Sequence, residues 1–277
     1  MRCSPPLVVA EHWRSGNVAI ETAVILAAGC GIRLGPLGRL IPKGFLQLQL
    51  QLDAQRGPIV VESIERLQAR GIRRVIIVTG HLRSFYDDLR ARMDGLVMTV
   101  HNPRFAHSGS WYSLACARDL LRGEDFLLLE SDLVYEGRAL DAALGSPHAD
   151  VVVVSGPTGS GDEVYVAAQG ERITAISKDL ALQATSVGEL VGISKFSGRL
   201  FGRLLERFDG DLGIEYETGA LASIAPHEPI SYTLLEDLVW AEIDTPADFA
   251  RVRTLVYPRL KELEAQAARR PTGRASG

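Results

Sequence analysis

The chain has 277 residues, of which 46% are hydrophobic and 23% charged, and its formal net charge is −4. This composition is that of a globular protein and offers no basic surface for nucleic acid. Three cysteines without a C-x-x-C pair argue against a disulfide framework and favour the reducing cytoplasm. No stretch approaches the roughly 20 apolar residues of a membrane span, so no membrane partner is predicted.

The ends of the chain differ from its middle. Residues 1–20 contain only the short apolar run "LVVA", too brief for a signal peptide, and are predicted to be a flexible extension. Residues 266–277 are predicted to be a disordered tail. Residues 21–265 show neither a repeat nor a linker and are predicted to form a single domain.

Apolar strands alternate with helical patterns in the first half of the chain. Strands are predicted at 23–26, 73–80, 96–101 and 125–132, and helices at 58–72, 84–93 and 110–121. Because parallel neighbours need crossover helices, this order predicts a doubly wound, mostly parallel sheet of the α/β class.

After Leu140 the pattern changes. The runs "ADVVVVSG", "DEVYVAA" and "RITAISK" are predicted strands joined by turns, which form a small antiparallel insertion or edge of a mixed sheet. Helices are predicted at 198–207 and about 216–224. The run "ISYTLLEDLVWAEID" predicts two strands with a turn at Glu236 and Asp237, and Thr245-Pro246 begins a final helix.

The stretch "LAAGCGIRLGPLGRLIPK" at 26–43 follows the first strand. Gly29 and Gly31 allow a tight turn whose N–H groups can bind phosphate oxygens, and Arg33 and Lys43 add positive charge. An ordinary strand-to-helix turn with surface cations is the alternative. A dinucleotide-binding turn is disfavoured because the third glycine is replaced by Leu34, and no Gly-Lys-Ser/Thr closes a P-loop.

The combination of L-A-A-G-x-G-x-R-L with a downstream Pro-Lys resembles the nucleotidyltransferases that load a phosphorylated small molecule onto a nucleoside monophosphate. The resemblance runs from Ala23 to about Pro258. It implies a Rossmann-like nucleotidyltransferase fold in which Arg33 and Lys43 contact phosphates. It further implies nucleotide binding by Leu26, Ala28, Gly29, Gly31 and Gly80.

Later segments resemble one branch of that family. "HNPRFAHSGSWYSLACARD" is similar to the base-and-ribose segment of cytidylyltransferases for amine-bearing phospho-compounds. "GPTGSGDEVYV" and "LVGISKFS" resemble 2-aminoethylphosphonate cytidylyltransferases in particular. The implied partners are CTP and a small amine-bearing phosphonate or phosphate. The implied base and ribose contacts are Asn102, Ser108, Ser110 and Ser113.

Carboxylates follow two predicted strands. The resemblance places Asp132 where the family holds Mg²⁺, and Glu242 and Asp244 lie two residues apart, on one face of a strand. Mg²⁺ takes a few carboxylates together with phosphate oxygens and water. These three residues are the predicted Mg²⁺ ligands, whereas capping of the next helix is the alternative role for Asp244.

The implied chemistry requires positive charge rather than a general base. A phosphonate is already an anion, so it can attack the α-phosphorus of CTP directly, and phosphoryl transfer depends on positioning and electrostatics. Mg²⁺, Arg33, Lys43 and Lys178 are predicted to supply the charge.

The acceptor's amine suggests a second set of residues. An ammonium group suits carboxylates, whereas choline requires an aromatic cage. Asp162, Glu163, Tyr216 and Glu217 are the predicted acceptor contacts, and their acids favour 2-aminoethylphosphonate, although Asp162 and Glu163 also suit a plain hairpin turn. The competing hypotheses are a phosphocholine or sugar-phosphate nucleotidyltransferase, and a nucleotide-sensing module without catalysis.

Overall fold

A computed structural model describes residues 19–49, 57–208 and 217–269. The strands, in chain order, are β1 (Thr22–Ala27), β2 (Arg74–Thr79), β3 (Val97–His101), β4 (Phe126–Glu130), β5 (Leu133–Tyr135), β6 (Val151–Ser155), β7 (Tyr165–Gln169), β8 (Arg172–Ser177), β9 (Ser186–Phe196), β10 (Ser231–Leu235) and β11 (Trp240–Glu242). The helices are α1 (Pro36–Leu40), α2 (Ile59–Gln68), α3 (Ser84–Arg92), α4 (Ser110–Cys116), α5 (Arg118–Leu121), α6 (Arg138–Gly145), α7 (Gly198–Phe208), α8 (Glu217–Ile224), α9 (Pro246–Arg251) and α10 (Tyr257–Arg269).

The first four strands form the parallel half of a nine-stranded sheet, in the order β3-β2-β1-β4. All six residues of β1 are buried. Strands of a parallel sheet are covered by helices on both faces, so they read as continuous apolar runs, and this half was predictable for that reason. The predicted doubly wound arrangement is confirmed.

The second half of the sheet is mainly antiparallel. The 11-residue strand β9 lies between β4 and β6, antiparallel to both, and the sheet continues through β10, β8 and β7. Because β7 also pairs with β9, these five strands close into a ring. The predicted antiparallel edge is confirmed, whereas β9, β5 and α6 were not predicted.

The two strands predicted in "ISYTLLEDLVWAEID" both exist, with Glu236 and Asp237 in the turn between them. They join different sheets. Strand β10 is parallel to β6 in the large sheet, whereas β11 pairs with β5 in a separate two-stranded ribbon. Strand β11 is thereby free to place its end beside the carboxyl ends of the parallel strands.

Alternation along β1 divides the core into two layers. Val24 and Leu26 face one layer, which contains side chains of α4, α5, α7 and α8. Ala23 and Ile25 face the other, which contains side chains of α2, α3 and α6. A third cluster packs the segment after β1 against the β5–β11 ribbon through Leu34, Val134 and Ile243, among others. This third cluster fixes the glycine loop relative to the end of β11.

Helix α10 continues past the predicted domain end. It extends to Arg269, so residues 266–269 are helical and the prediction that they belong to a disordered tail was wrong. The helix is held to α2 because Tyr257 and Lys261 both donate to Glu62, over 2.5 and 2.9 Å, and Arg66 donates to Glu264 over 2.7 Å. Residues 1–18 and 270–277 lie outside the described part of the chain.

Candidate active site

A cleft of about 970 Å³ opens at the carboxyl ends of β1 and β4. In open α/β sheets this is the edge where ligands bind, because the loops there connect to helix starts. Most of the predicted site residues line this cleft, namely Leu26, Ala28, Gly29, Gly31, Arg33, Lys43, Ser108, Ser110, Ser113, Asp132, Asp162, Lys178, Glu242 and Asp244.

The glycine loop makes its tight turn at Gly31. Gly31 has φ 60° and ψ 28°, a left-handed conformation in which a glycine is unstrained, and it leads into a short 3₁₀ turn and α1. Gly80 does not line the cleft. A Cβ there would lie 2.5 Å from the carbonyl oxygen of Ala28, so Gly80 lets the end of β2 approach the loop from behind.

Lys43 is the centre of the site. Its ammonium lies 2.6 Å from Asp132 Oδ2 and 2.5 Å from Asp244 Oδ1. Burial alone would lower the pKa of Lys43, but the two carboxylates outweigh it and hold the pKa above its ordinary value. Lys43 is therefore a fixed positive charge beside the glycine loop.

A second pair of cations extends this arrangement. Arg33 lies 2.9 Å from Asp244 and 3.1 Å from Asp162, and Lys178 lies 2.6 Å from the other oxygen of Asp162. Burial would raise the pKa of Asp162, but Lys178 and Arg33 hold it below its ordinary value. Six alternating charges thus run across the cleft in the order Asp132, Lys43, Asp244, Arg33, Asp162 and Lys178.

The predicted metal ligands lie around Lys43. Within the described ranges, no three or more His, Cys, Asp and Glu side chains are arranged as a metal site. Asp132 and Asp244 instead converge on one point, the Lys43 ammonium, and Glu242 lines the same cleft. Mg²⁺ commonly uses one or two protein carboxylates with phosphate oxygens, so these donors fit a metal that arrives with a nucleotide.

The Glu242 carboxyl group is buried close to two other acidic side chains. Burial, followed by the charges of Asp132 and Asp244, raises the pKa of Glu242 well above the usual range of a carboxyl group. Added positive charge at this point would relieve the repulsion among the three acids. This is the electrostatic setting expected where a cation or a cationic group binds.

The alternative role of Asp244 as a helix cap is wrong. Thr245 caps α9, since its side chain accepts from the backbone N–H of Asp248, and Asp248 accepts in return from the backbone N–H of Thr245 over 2.9 Å. This capping box satisfies the helix start without Asp244. The Asp244 carboxylate therefore faces Lys43 and Arg33.

The predicted base-and-ribose segment divides into two roles. Asn102 is fully buried, and its amide donates to the hydroxyls of Ser108 and Ser113, each over 3.0 Å. Its carbonyl oxygen accepts from the backbone of Arg104 over 2.8 Å. Asn102 therefore positions two serines that line the cleft and does not line it itself.

Tyr86 belongs to the site but was missed by the sequence analysis. It lies on α3 and is 1% exposed, and its hydroxyl lies beside Gly44 and Ser131: a Cβ at Gly44 would be 2.9 Å from that hydroxyl and 3.2 Å from the Ser131 carbonyl oxygen. Burial raises the pKa of Tyr86, which keeps the phenol neutral. The hydroxyl thus lies between the turn that carries Lys43 and the end of the strand that precedes Asp132. In the sequence, Tyr86 is one apolar position of an ordinary helix.

The predicted acceptor contacts are not all brought together. Asp162 lines the cleft and is paired with two cations, whereas Glu163 accepts from the backbone of Gly161 over 3.2 Å and does not line it. Tyr216 lies outside the described residues, and Glu217 is the first residue of α8. Beside it, Thr218 and Gly219 line the cleft.

A smaller cavity of about 290 Å³ adjoins the cleft. Both cavities are lined by Arg33, Asp162, Val164, Leu190, Glu242 and Asp244. Trp240 lines the smaller one and donates to Ser155 Oγ over 2.8 Å, while Trp111 packs in the core.

None of the helices described is both long and apolar enough to cross a bilayer.

A charged cleft at the strand ends of a doubly wound sheet, bordered by a glycine loop after β1, defines a nucleotide-binding α/β protein of the nucleotidyltransferase class. The chain belongs to the MobA-like NTP transferase domain family, whose sequence pattern matches residues 23–215. The resemblance to nucleotidyltransferases is thereby confirmed.

Three curated relatives match parts of the chain. It is 34% identical over 138 residues to CMP-5'-(3-aminopropyl)phosphonate synthase of Streptomyces rubellomurinus, covering 49% of this chain and 21% of that protein. It is 33% identical over 99 residues to choline-phosphate cytidylyltransferase of Streptococcus pneumoniae, covering 36% of this chain and 40% of that protein. It is 27% identical over 121 residues to 2-aminoethylphosphonate cytidylyltransferase of Lancefieldella rimae, covering 44% and 46%. The match thus spans less than half the length of each of these relatives.

A solved structure confirms the expected fold. The inositol-1-phosphate CTP transferase from T. maritima superposes with a TM-score of 0.74 at 20% identity, covering 89% of this chain and 97% of that one. At this identity the likeness concerns the fold alone. The Rossmann-like nucleotidyltransferase fold implied by the glycine loop is confirmed.

Proposed function

We propose that the protein transfers CMP from CTP to 2-aminoethylphosphonate, with release of pyrophosphate and formation of CMP-2-aminoethylphosphonate for phosphonate conjugate biosynthesis in the cytoplasm. The observation that carries the proposal is the alternating row of charges beside the glycine loop, with Lys43 held between Asp132 and Asp244. Two of the matched relatives carry names that refer to CMP transfer onto amine-bearing phosphonates or to their CMP products, which supports the choice of acceptor.

The transfer needs no general base. An oxygen of the anionic phosphonate forms a bond to the α-phosphorus of CTP, the bond from that phosphorus to the bridging oxygen breaks, and pyrophosphate leaves. The glycine loop, Arg33 and Lys43 bind the nucleotide phosphates, and Lys178 at the other wall binds the acceptor phosphonate. Each cation already has a carboxylate partner, so its position is fixed before the anions arrive.

Mg²⁺ fits this arrangement as a cofactor. Asp132 and Asp244 would hold it, with Glu242 beside them, and the ion when bound supplies charge neutralisation for the nucleotide phosphates. The carboxylates orient Lys43 and keep it protonated. The proposal therefore gives Asp132 and Asp244 two partners, the Lys43 ammonium and Mg²⁺.

A phosphocholine cytidylyltransferase is the second candidate, and one relative of 33% identity carries that name. A trimethylammonium group needs exposed aromatic faces. Of the aromatic side chains that line the two cavities, Tyr86 and Trp240 are only 1% and 6% exposed, and half-buried Phe105 lies in the predicted base-and-ribose segment. Carboxylates, by contrast, line both cavities, which favours a primary ammonium.

The proposal is tested by pyrophosphate release. CTP, UTP, ATP and dTTP are each offered with 2-aminoethylphosphonate, phosphoethanolamine, phosphocholine and a hexose 1-phosphate, in the presence of Mg²⁺. We expect turnover with CTP and 2-aminoethylphosphonate to exceed every other pair. Preference for a sugar phosphate would overturn the acceptor, and CTP binding without turnover of any acceptor would favour a nucleotide-sensing module.

A further inference from the structure

The smaller cavity is a side chamber of the cleft. Its walls are the glycine-rich turn at 158–162, strand β9, the end of β11 and the start of α9. At about 290 Å³ it is ample for an aminoalkyl group. It adjoins the cleft at Arg33, Asp162 and Asp244, which line both cavities.

The charges that line this chamber do not balance. Its described lining contains five carboxylates and two guanidinium groups. Arg33 pairs with Asp162 and Asp244, and Arg251 lies 3.6 Å from Asp248. Among the described residues, Glu189 and Glu242 make no ion pair. The chamber therefore has two carboxylates to offer a cation that the protein itself does not supply.

Glu189 is the more fully buried of the two. It is 4% exposed and lies on β9, where it pairs with Ser155 of β6 on one side and with Tyr165 of β7 on the other. Thr158 holds the carboxylate from two directions, through its backbone N–H over 2.8 Å and its hydroxyl over 3.0 Å.

These neutral hydrogen bonds orient the Glu189 carboxylate but do not neutralise it. Burial, the larger cause, and the nearby Glu163 raise the pKa of Glu189 despite Thr158 and Arg251. A buried carboxylate without a cation is costly, and a bound cation would remove that cost.

We propose that Glu189 binds the ammonium group of the acceptor in this side chamber, with Glu242 at the passage to the cleft. The inference rests on the proposed function and names the residue that selects its acceptor. The phosphonate stays in the cleft near Lys178, while the short carbon chain passes between Val164 and Leu190, which line both spaces. Asp162, one of the acceptor contacts predicted from the sequence, is already engaged by Arg33 and Lys178.

The test compares an acceptor that has the amine with one that lacks it. Glu189→Gln keeps the size of the side chain and a carbonyl oxygen for Thr158, but removes the charge. With 2-aminoethylphosphonate we expect kcat/KM to fall about 10- to 100-fold, the range of a charge-assisted hydrogen bond. With ethylphosphonate we expect a change of less than about twofold, and the KM for CTP should stay within the same margin.

Glu228→Gln is the matched control. Glu228 is a buried carboxylate that pairs with Arg199 and Arg203 outside both cavities, so its variant reports a general cost of losing a buried charge. We expect it to leave the ratio between the two acceptors unchanged. Calorimetric titration of each acceptor in the presence of a non-hydrolysable CTP analogue gives a readout independent of turnover.

The outcomes separate the inference from the function on which it rests. If Glu189→Gln lowers kcat/KM equally with both acceptors, Glu189 has a structural role and the inference is overturned. Unchanged kinetics with 2-aminoethylphosphonate would also overturn the inference. In either case the proposed function stands, because the wild type turns over its acceptor. A wild type that releases no pyrophosphate with either acceptor overturns the proposed function and the inference together.

Discussion

At the scale of single residues, the site depends on pairings between distant parts of the chain. Each member of the charge row follows a strand or a turn that the sequence identifies, but the partners of Lys43 lie 89 and 201 residues away. The residue types predict phosphate binding and carboxylate sites. Which carboxylate meets which cation follows only from the packing of the glycine loop against the β5–β11 ribbon.

Lys43→Ala should remove the central cation of the site. We expect kcat/KM to fall by roughly 2 to 4 kcal/mol, the scale of one pre-organised charge contact in a dry site. Lys43→Arg should rescue only in part, because a planar guanidinium does not fit between two carboxylates placed for an ammonium. Steady-state kinetics and CTP titration measure both variants. Unchanged kinetics in Lys43→Ala would contradict the assignment.

Asp132→Asn should affect turnover far more than folding. The variant keeps an oxygen near Lys43 but removes one of the two carboxylates available to Mg²⁺. We expect a chelator to abolish the activity of the wild type. We expect the variant to have a much lower maximal rate and to need a higher Mg²⁺ concentration to reach it. Turnover against Mg²⁺ concentration, with thermal unfolding as the control, measures this. Near-normal turnover in the variant would refute the metal role.

Tyr86→Phe tests the link between the two halves of the site. The ring packs edge-on against Phe45 with centroids 5.1 Å apart, and the variant keeps that contact while losing the hydroxyl. The buried hydroxyl beside Gly44 and Ser131 disappears, so we expect a loss of stability of about 1 kcal/mol. We also expect kcat to fall while the KM for CTP changes little, because Lys43 moves relative to Asp132. Loss of stability with an unchanged kcat would confine Tyr86 to a structural role.

At the scale of elements, the sequence predicts those strands whose burial is purely apolar. Strands β1, β2 and β4 are continuous apolar runs and were found. Strand β9 lies at the centre of the sheet but reads "SVGELVGISKF", with two glycines and buried Glu189, Ser194 and Lys195. Its polar groups are satisfied by tertiary partners such as Thr158 and Ser146, which no local pattern reveals. The sequence analysis missed β9 for this reason.

The docking of α10 on α2 should be sensitive to acid. Burial would raise the pKa of Glu264, but Lys261 and Arg66 outweigh it and lower the pKa to about 2 from an ordinary 4.5. Because the folded-state pKa is depressed, the stabilisation is complete above pH 4.5 and is lost as the pH falls toward about 2. We expect Glu264→Gln to remove part of this acid dependence. Urea unfolding at pH 6 and pH 3 measures it, with Glu262→Gln, on the same helix, as the control.

At the scale of the whole molecule, the proposed function assigns nucleotide and acceptor to different halves of the sheet. The parallel half supplies the glycine loop and Asp132, which line the cleft where the nucleotide phosphates are proposed to bind. The antiparallel ring supplies Glu189 on β9, and Lys178 directly follows β8; both are proposed to face the acceptor. In this proposal nucleotide binding and acceptor choice depend on separate elements, so we expect a change in one wall of the ring to alter the acceptor while the phosphate loop stays in place.

This division predicts a graded response to methylation of the acceptor's amine. Each methyl group adds bulk to the side chamber and removes one N–H group that could donate to a carboxylate such as Glu189. A charge-assisted hydrogen bond of this kind contributes about 1.5 to 3 kcal/mol. Efficiency should fall from 2-aminoethylphosphonate through its N-methyl and N,N-dimethyl forms to the trimethyl compound. Phosphoethanolamine keeps the amine but adds an ester oxygen, so its efficiency should be intermediate, and phosphocholine should be poor. Pyrophosphate release at matched acceptor concentrations measures the series. If phosphocholine proves the better substrate, recognition by carboxylates is wrong, and the aromatic Trp240 beside the chamber becomes the residue to test.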